Sequence, residues 1–348
     1  MAPLHLFCFA AVVLLPFMVE GGPSTSPVDH DPGRVAPATP RIAFGSKRDG
    51  NWEVYVVDGD GRQLTRLTRG ATQDRFPIWS PDGSHIAYGS QVADGWELWV
   101  MRSDGSAAKR LTRGIEAKSP RSWSPDGTRI LFESDRDGSS EIYTIRADGR
   151  ALRRLTSSPA DDTSPSWSPD GRRIAISSSR HGSPDIFVMD ADGGQLTRLT
   201  TDTARDDSPV WSPDGSRIAF VSARHQHRAI YLMRADGSQQ VELTWDAAAE
   251  DHSPAWSPDG KWIAFQAVRG ENYDIEVVDV ARHVRTRLTA TPEYDVQFSW
   301  SPDGGQLAFI SARQGTEGLY TMRTDGSGLR PLSREPALDP EWSPVGRD

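Results

Sequence analysis

Cysteine is almost missing from this chain. Cys8 is the only one among 348 residues, so a disulfide framework is excluded. An excess of positive charge is missing too. Lys and Arg total 39 against 48 Asp and Glu, a net charge of −9. That balance excludes a nucleic-acid binder, which needs clustered cations, and favours solubility and cationic partners. Apolar residues make up only 36% of the chain, while Gly (31) and Pro (25) are plentiful. Long apolar runs are confined to Leu6–Val19, LFCFAAVVLLPFMV, which is too short to span a bilayer. The chain contains no phosphate-cradling glycine loop, no nucleophile–base constellation and no basic–aromatic stripe.

The apolar run reads as the core of a secretory signal over residues 1–22, with Gly21 and Gly22 as small residues near a cleavage point. No Lys or Arg precedes it, so the alternative is a misassigned start and a cytoplasmic chain. Cys8 lies inside the run and is poorly placed for lipid attachment. Residues 23–40, rich in Pro, Ser and Thr, read as a linker. No membrane insertion of the mature chain is expected.

What the chain has in abundance is one phrase. Trp-Ser-Pro recurs at Trp79, Trp123, Trp167, Trp211, Trp256, Trp300 and Trp342, at spacings of 44, 44, 44, 45, 44 and 42 residues. A period in the forties with several short strands per repeat indicates a β-propeller. Residues 209–244 show the unit. Trp211 opens a short innermost strand, Ser212-Pro213-Asp214-Gly215 forms a turn, and Arg217–Ser222 and Ile230–Arg234 alternate as strands. Asp236-Gly237 marks a hairpin, and Val241–Thr244 forms the outer strand. The repeats fill residues 41–348. The first begins at its second strand and the last stops at its inner strand. The fold expectation is therefore all-β: a seven-bladed β-propeller whose first blade is closed by the C-terminal strand, with six blades as the alternative. The Trp series is expected to pack between blades. Asp58-Gly59-Asp60-Gly61 and Asp190-Ala191-Asp192-Gly193 fit hairpin turns better than calcium loops.

The consensus W-S-P-D-G-x-x-I-A-F-x-S-x-R, then I-Y-x-M-x-x-D-G and L-T, resembles the TolB-type propeller repeat. It is also similar to repeats in tricorn-type proteases and prolyl-oligopeptidase-like peptidases. The resemblance covers about 300 residues in seven copies. It implies a bacterial envelope or secreted binding propeller, periplasmic if exported. TolB carries an α/β domain before its propeller, whereas here an 18-residue linker precedes the first blade. The peptidases carry a G-x-S-x-G hydrolase domain, and no such elbow occurs here.

Two polar positions recur beyond what turns and packing require. Asp74, Asp162, Asp206, Asp251 and Asp295 stand five residues before a Trp, with Lys118 and Ala337 as exceptions. Arg48, Arg136, Arg180, Arg224, Arg269 and Arg313 follow the second strands, with Val92 as the exception. Both loops should lie on one face. Matching each Arg to the next Asp predicts Arg48–Asp74, Arg136–Asp162, Arg180–Asp206, Arg224–Asp251 and Arg269–Asp295, and sets Val92 against Lys118. The Asp series is read either as loop bracing or as an acidic binding rim at the tunnel mouth, with Asp161, Asp207 and Glu250 adding charge. His225, His227 and His252 fall on the same face, with His181 beside them, and offer a metal site as an alternative.

These observations lead to an expected function: a non-catalytic binding or scaffold propeller without a cofactor. It would be monomeric and would bind an envelope protein or peptide, basic if the rim is acidic. The alternative is a metal-assisted, lyase-like carbohydrate-active enzyme using the histidines.

Overall fold

The computed structural model describes residues 39–93, 95–114 and 117–344. The expected signal peptide, Cys8, most of the 23–40 linker and residues 345–348 lie outside these described residues. Among the described residues 28 strands follow one another. They form seven four-stranded blades in a ring. Blades 2 and 3 are bridged by one extra pairing, Trp96 with Ala117. The only helical element described is the short turn Arg224–Gln226. No helix among the described residues is long and apolar enough to cross a membrane.

Blade 5 shows how the sequence builds the unit. Its strands are Asp206–Trp211, Arg217–Ser222, Ala229–Arg234 and Val241–Glu242. The second strand pairs with the third over its whole length, from Arg217–Arg234 to Ser222–Ala229. The inner strand is bulged between Asp207 and Val210, where Ser208 takes a left-handed φ of 55°. In the Ser-Pro-Asp-Gly turn, Gly215 has φ 70° and its N–H donates to Ser212 O at 2.9 Å. Asp214 Oδ1 accepts from Ser212 Oγ at 2.6 Å and from Ser216 N at 3.0 Å. The turn aspartates are thus consumed as local acceptors. Asp58 and Asp190 likewise head hairpins, their carbonyls accepting from Gly61 N and Gly193 N.

The turns also contact one another around the ring. A β-carbon built on Gly215 would stand 3.1 Å from Pro169 Cγ of blade 4. Gly127 meets Pro81, Gly171 meets Pro125, Gly260 meets Pro213 and Gly304 meets Pro258 in the same way. Pro344 makes the same contact against Gly83 of blade 2.

Ring closure is made in blade 1. Arg41–Ser46 pairs on one side with Glu53–Asp58 and on the other with Ala337–Trp342, through Ile42–Trp342 and Ser46–Ala337. Arg41 N donates to Ser343 Oγ at 2.9 Å. The sheet therefore gains its inner strand from the other end of the described chain, and no blade is left with an open inner edge.

The core lies between blades. Seven apolar clusters occupy the seven interfaces; one joins Ala175 and Ile186 of blade 4 to Trp211, Ile218 and Phe220 of blade 5. The Trp series is buried. Trp79, Trp123, Trp256 and Trp300 each donate Nε1–H to a carbonyl on the preceding blade's inner strand, at 3.0–3.2 Å. Arg129 and Arg173 of the preceding blades lie over Trp167 and Trp211, at 4.9 and 4.6 Å.

Candidate binding face

The loops after the second strands and those entering each inner strand share one end of every blade. In blade 4, Asp162 opens the inner strand and stands opposite Ser178, the last residue of the second strand. Arg180 turns back over this pair. Its Nη2 donates to Asp162 Oδ2 at 2.9 Å and its Nε donates to Ser178 Oγ at 2.8 Å. The guanidinium also lies over the Phe187 ring at 5.1 Å. Blade 5 repeats the device with Arg224 and Asp206 at 2.8 Å, and blade 7 with Arg313 and Asp295 at 2.8 Å.

The pairing expected from the sequence therefore runs in the wrong direction. In blades 4, 5 and 7 the Arg binds the Asp that precedes it, within one blade. The ladder dictates this: Asp and Ser are opposite, and Arg is two residues beyond Ser, whereas the next Asp along the chain belongs to another sheet. Val92 thus shares a blade with Asp74 and leaves it without an Arg. In blade 3 Ala117 stands opposite Ser134, and Arg136 makes a 3.6 Å contact with Asp137 instead. In blade 1 Ala337 takes the Asp position, and Arg48 donates to Ser333 Oγ at 2.6 Å. Blade 6 exchanges partners. Arg269 binds Asp246 at 2.7 Å and Glu276 at 2.6 Å, and Asp251 takes two bonds of 2.9 Å from Arg285 of the outer strand.

Burial corrects a second expectation. Asp162, Asp206 and Asp295 are 0% exposed, Asp251 1% and Asp74 6%. Carboxylates this deep cannot form an exposed acidic rim. Burial raises the pKa of Asp162 and Asp206, with the serine bonds and the arginines opposing it. Burial also raises Asp74 and pushes Asp251 up to about 6 against the pull of Arg285. Asp207 is buried as well, held low by Arg228 and Arg205 against the cost of burial. Of the added charges, Asp161 is exposed and Glu250 half-buried.

The sequence reading missed a second polar layer at the same end of the blades. Glu53 heads the third strand of blade 1, fully buried, and binds Arg66 of the outer strand at 2.8 Å. Thr68 Oγ1 accepts from Val54 N at 2.9 Å and donates to Glu53 Oε2 at 2.5 Å. Glu97–Arg110, Glu141–Arg154, Asp185–Arg198 and Asp274–Arg287 repeat the ion pair at 2.6–2.8 Å. The signal was available: in blades 1, 2, 3, 4 and 6 an acid heads the apolar run of the third strand and an Arg stands two residues before the Thr of Leu-Thr.

Blade 5 departs from this layer. Ala229 replaces the acid and Glu242 replaces the Arg. Glu242 Oε1 faces His227 Nε2 at 3.1 Å, and Oε2 stands 3.9 Å from His225 Nε2. His252 turns to different partners. Burial and Arg228 hold its pKa down to about 4, with Asp207 opposing, so its imidazole is neutral. The proposed trio of His225, His227 and His252 is therefore not one cluster. His181 stacks on Phe187, with centroids 5.9 Å apart.

The sequence profile described as the TolB beta propeller domain matches residues 77–166, 158–253 and 208–348, together everything from 77 to 348. The chain belongs to the TolB β-propeller domain family. Tol-Pal system protein TolB of Geobacter sulfurreducens is 41% identical over 51 residues, a match covering 15% of this chain and 12% of that protein. The crystal structure of TolB from Acinetobacter baumannii superposes with a TM-score of 0.60 at 23% identity, covering 88% of this chain and 83% of that one. An oligogalacturonate lyase from Vibrio parahaemolyticus superposes with a TM-score of 0.67 at 16% identity, covering 81% and 85%. Both structural likenesses are in fold. TolB-family membership thus joins a fold that enzymes also use to a sequence profile that carries the TolB name.

Proposed function

We propose that this TolB-family propeller is a non-catalytic binding platform of the bacterial cell envelope, exported to the periplasm, which engages a protein or peptide partner. The contact face is the end of the ring that carries the Arg and Asp loops. The observation that carries this reading is how firmly those loops are pinned. In blades 4, 5 and 7 each loop is tied to a buried carboxylate, and its guanidinium lies over rings of its own blade. A face ordered before binding loses less entropy on association. The match to a Tol-Pal system protein supports the envelope setting and a protein partner. Because the five ring aspartates are buried, preference for a basic partner rests on exposed groups such as Asp161.

Cross-linking mass spectrometry on the full chain with envelope extract tests the face. Partner cross-links should map to the loops around residues 135–140 and 158–162. They should fall away in Arg136→Glu and Asp161→Lys, two changes at exposed positions. Cross-links that map instead to the Asp-Gly turns of the opposite face would reject this choice of surface. Cross-links indifferent to both changes would do the same.

A further inference from the structure

His225 and His227 lie on the loop between the second and third strands of blade 5. In blades 1, 3, 4 and 6 the residue matching His227 is Asn51, Ser139, Ser183 or Asn272. Each of these bonds its side chain to a backbone carbonyl of the next connecting loop. His227 does not repeat that tether. Its Nδ1 lies 3.2 Å from His225 O, and its Nε2 lies 3.1 Å from Glu242 Oε1. Both partners are acceptors. A neutral imidazole carries one N–H and can satisfy only one of them. With Nδ1–H donated to the carbonyl, a lone pair on Nε2 faces a carboxylate. That contact requires a cation between them or a proton on the ring.

The surroundings favour the cation. His225 Nε2 stands 3.9 Å from the other oxygen of the same carboxylate. Two ligands of one tetrahedral zinc ion, each about 2.0–2.1 Å from the metal, are separated by roughly 3.3 Å. The observed gaps of 3.1 and 3.9 Å bracket that spacing. A ligating imidazole commonly donates its second N–H to a backbone carbonyl, the role His225 O fills here. Tyr231 OH donates to Glu242 Oε2 at 3.1 Å and orients the carboxylate. The loop is held in an unusual shape, with His225 and Gln226 both left-handed at φ 59° and 65°.

We propose that His225, His227 and Glu242 form a site for a divalent transition-metal ion of the zinc class. Two neutral imidazoles and one carboxylate supply three ligands and leave the fourth position open. Among the described residues no such group of three already surrounds a common point. The His225 side chain is 64% exposed, so its rotation toward Glu242 is unobstructed by packing. His252 takes no part. The site lies away from the inner strands, on the Arg224 loop of the same face, and a metal titration reads it without the protein partner.

Trp245 supplies a reporter. It is 64% exposed, and its ring lies edge-on to His227 with centroids 4.6 Å apart. The test is a titration of the untagged full chain at pH 7.5, with Zn2+ followed by calorimetry and Ni2+ by tryptophan fluorescence. One equivalent should bind, and the Ni2+ quench should be absent from Trp245→Phe. His225→Ala and Glu242→Gln should each weaken binding by about tenfold or more, while His252→Ala should not. An unchanged melting temperature in His225→Ala would show that the fold survives. No saturable binding, or binding indifferent to His225→Ala and Glu242→Gln, would overturn the site. The contact would then be a His227–Glu242 hydrogen bond alone.

Discussion

Arg180 binds Asp162 of its own blade at 2.9 Å and leaves Asp206 to Arg224. In blades 4, 5 and 7 the Arg loop is therefore tied by an Asp–Ser–Arg cluster within one sheet, not by a tie between sheets. Its carboxylate is fully buried and its guanidinium about a quarter exposed.

A double-mutant cycle follows from this. Arg180→Ala leaves the Asp162 carboxylate buried without its cation. It should cost about 2–3 kcal/mol, below the range for fully buried pairs because the Arg side is wetter. Coupling between positions 180 and 162 should exceed about 1 kcal/mol, and coupling between 180 and 206 should be near zero. Chemical denaturation of the three single and two double variants, beside the unaltered chain, measures both. Stronger coupling to 206 would reverse the assignment.

Stability should fall as pH rises through weak acid. Burial pushes Asp339 up to about 6 against the pull of Arg75, and pushes Glu341 well above the usual carboxylate range. Both lie on the strand that closes the ring. When unfolded they ionise near pH 4. Between about pH 4 and 6 the folded chain holds protons that the unfolded chain has released, so these groups stabilise most at low pH and lose that contribution as pH passes about 6. Melting temperatures at pH 5 and 7.5 should show a smaller loss for Asp339→Asn with Glu341→Gln than for the unaltered chain, by about 3 °C or more. Equal losses would show that the closing strand does not titrate in this window.

Removing residues 338–348 should open the ring. The deletion takes away the Trp342–Ile42 pairing, a Trp that is 5% exposed and the Pro344 contact to Gly83. Loss of one buried Trp alone costs about 3–5 kcal/mol. The melting temperature should therefore drop by about 10 °C or more, as calorimetry would reveal. An unchanged transition would refute closure by this strand.

The proline–glycine contacts between neighbouring turns predict an unequal response to alanine. Gly215 and Gly114 both have left-handed φ, 70° and 62°. A β-carbon at 215 would stand 3.1 Å from Pro169, whereas one at 114 meets nothing within 4 Å. Gly114→Ala should cost about 1 kcal/mol from backbone strain. Gly215→Ala should cost about 1 kcal/mol more, from overpacking against Pro169. Equal costs would remove the turn contacts from the forces that seat neighbouring blades.

Most of the fold could be read from the chain because the repeat imposes it seven times. The Trp period, the Ser-Pro-Asp-Gly turns and the unmatched inner strand at Trp342 specify blade number and closure without reference to contacts. The site was harder to read, for two physical reasons. Spacing alone leaves open whether Arg180 meets the Asp before it or after it; the ladder position of Ser178 decides, and pairing register is a property of the sheet. Burial of Asp162 is equally invisible, because a carboxylate three residues before a Pro looks like a loop residue until the strand that covers it is in place. Glu242 shows the complementary case. It stands out once the Glu–Arg layer of the other blades is known and looks unremarkable without it.

The seam in blade 1 also has a mechanical sense. Arg41 and Ser343 sit side by side at one end of the closing pair, joined by Arg41 N to Ser343 Oγ and by Ser343 N to Arg41 O. Tension applied at these two points loads the ladder bonds one after another, not all at once. The clasp therefore unzips from Trp342 toward Ala337 under a small force, while every other strand in the ring stays tethered by its own turns.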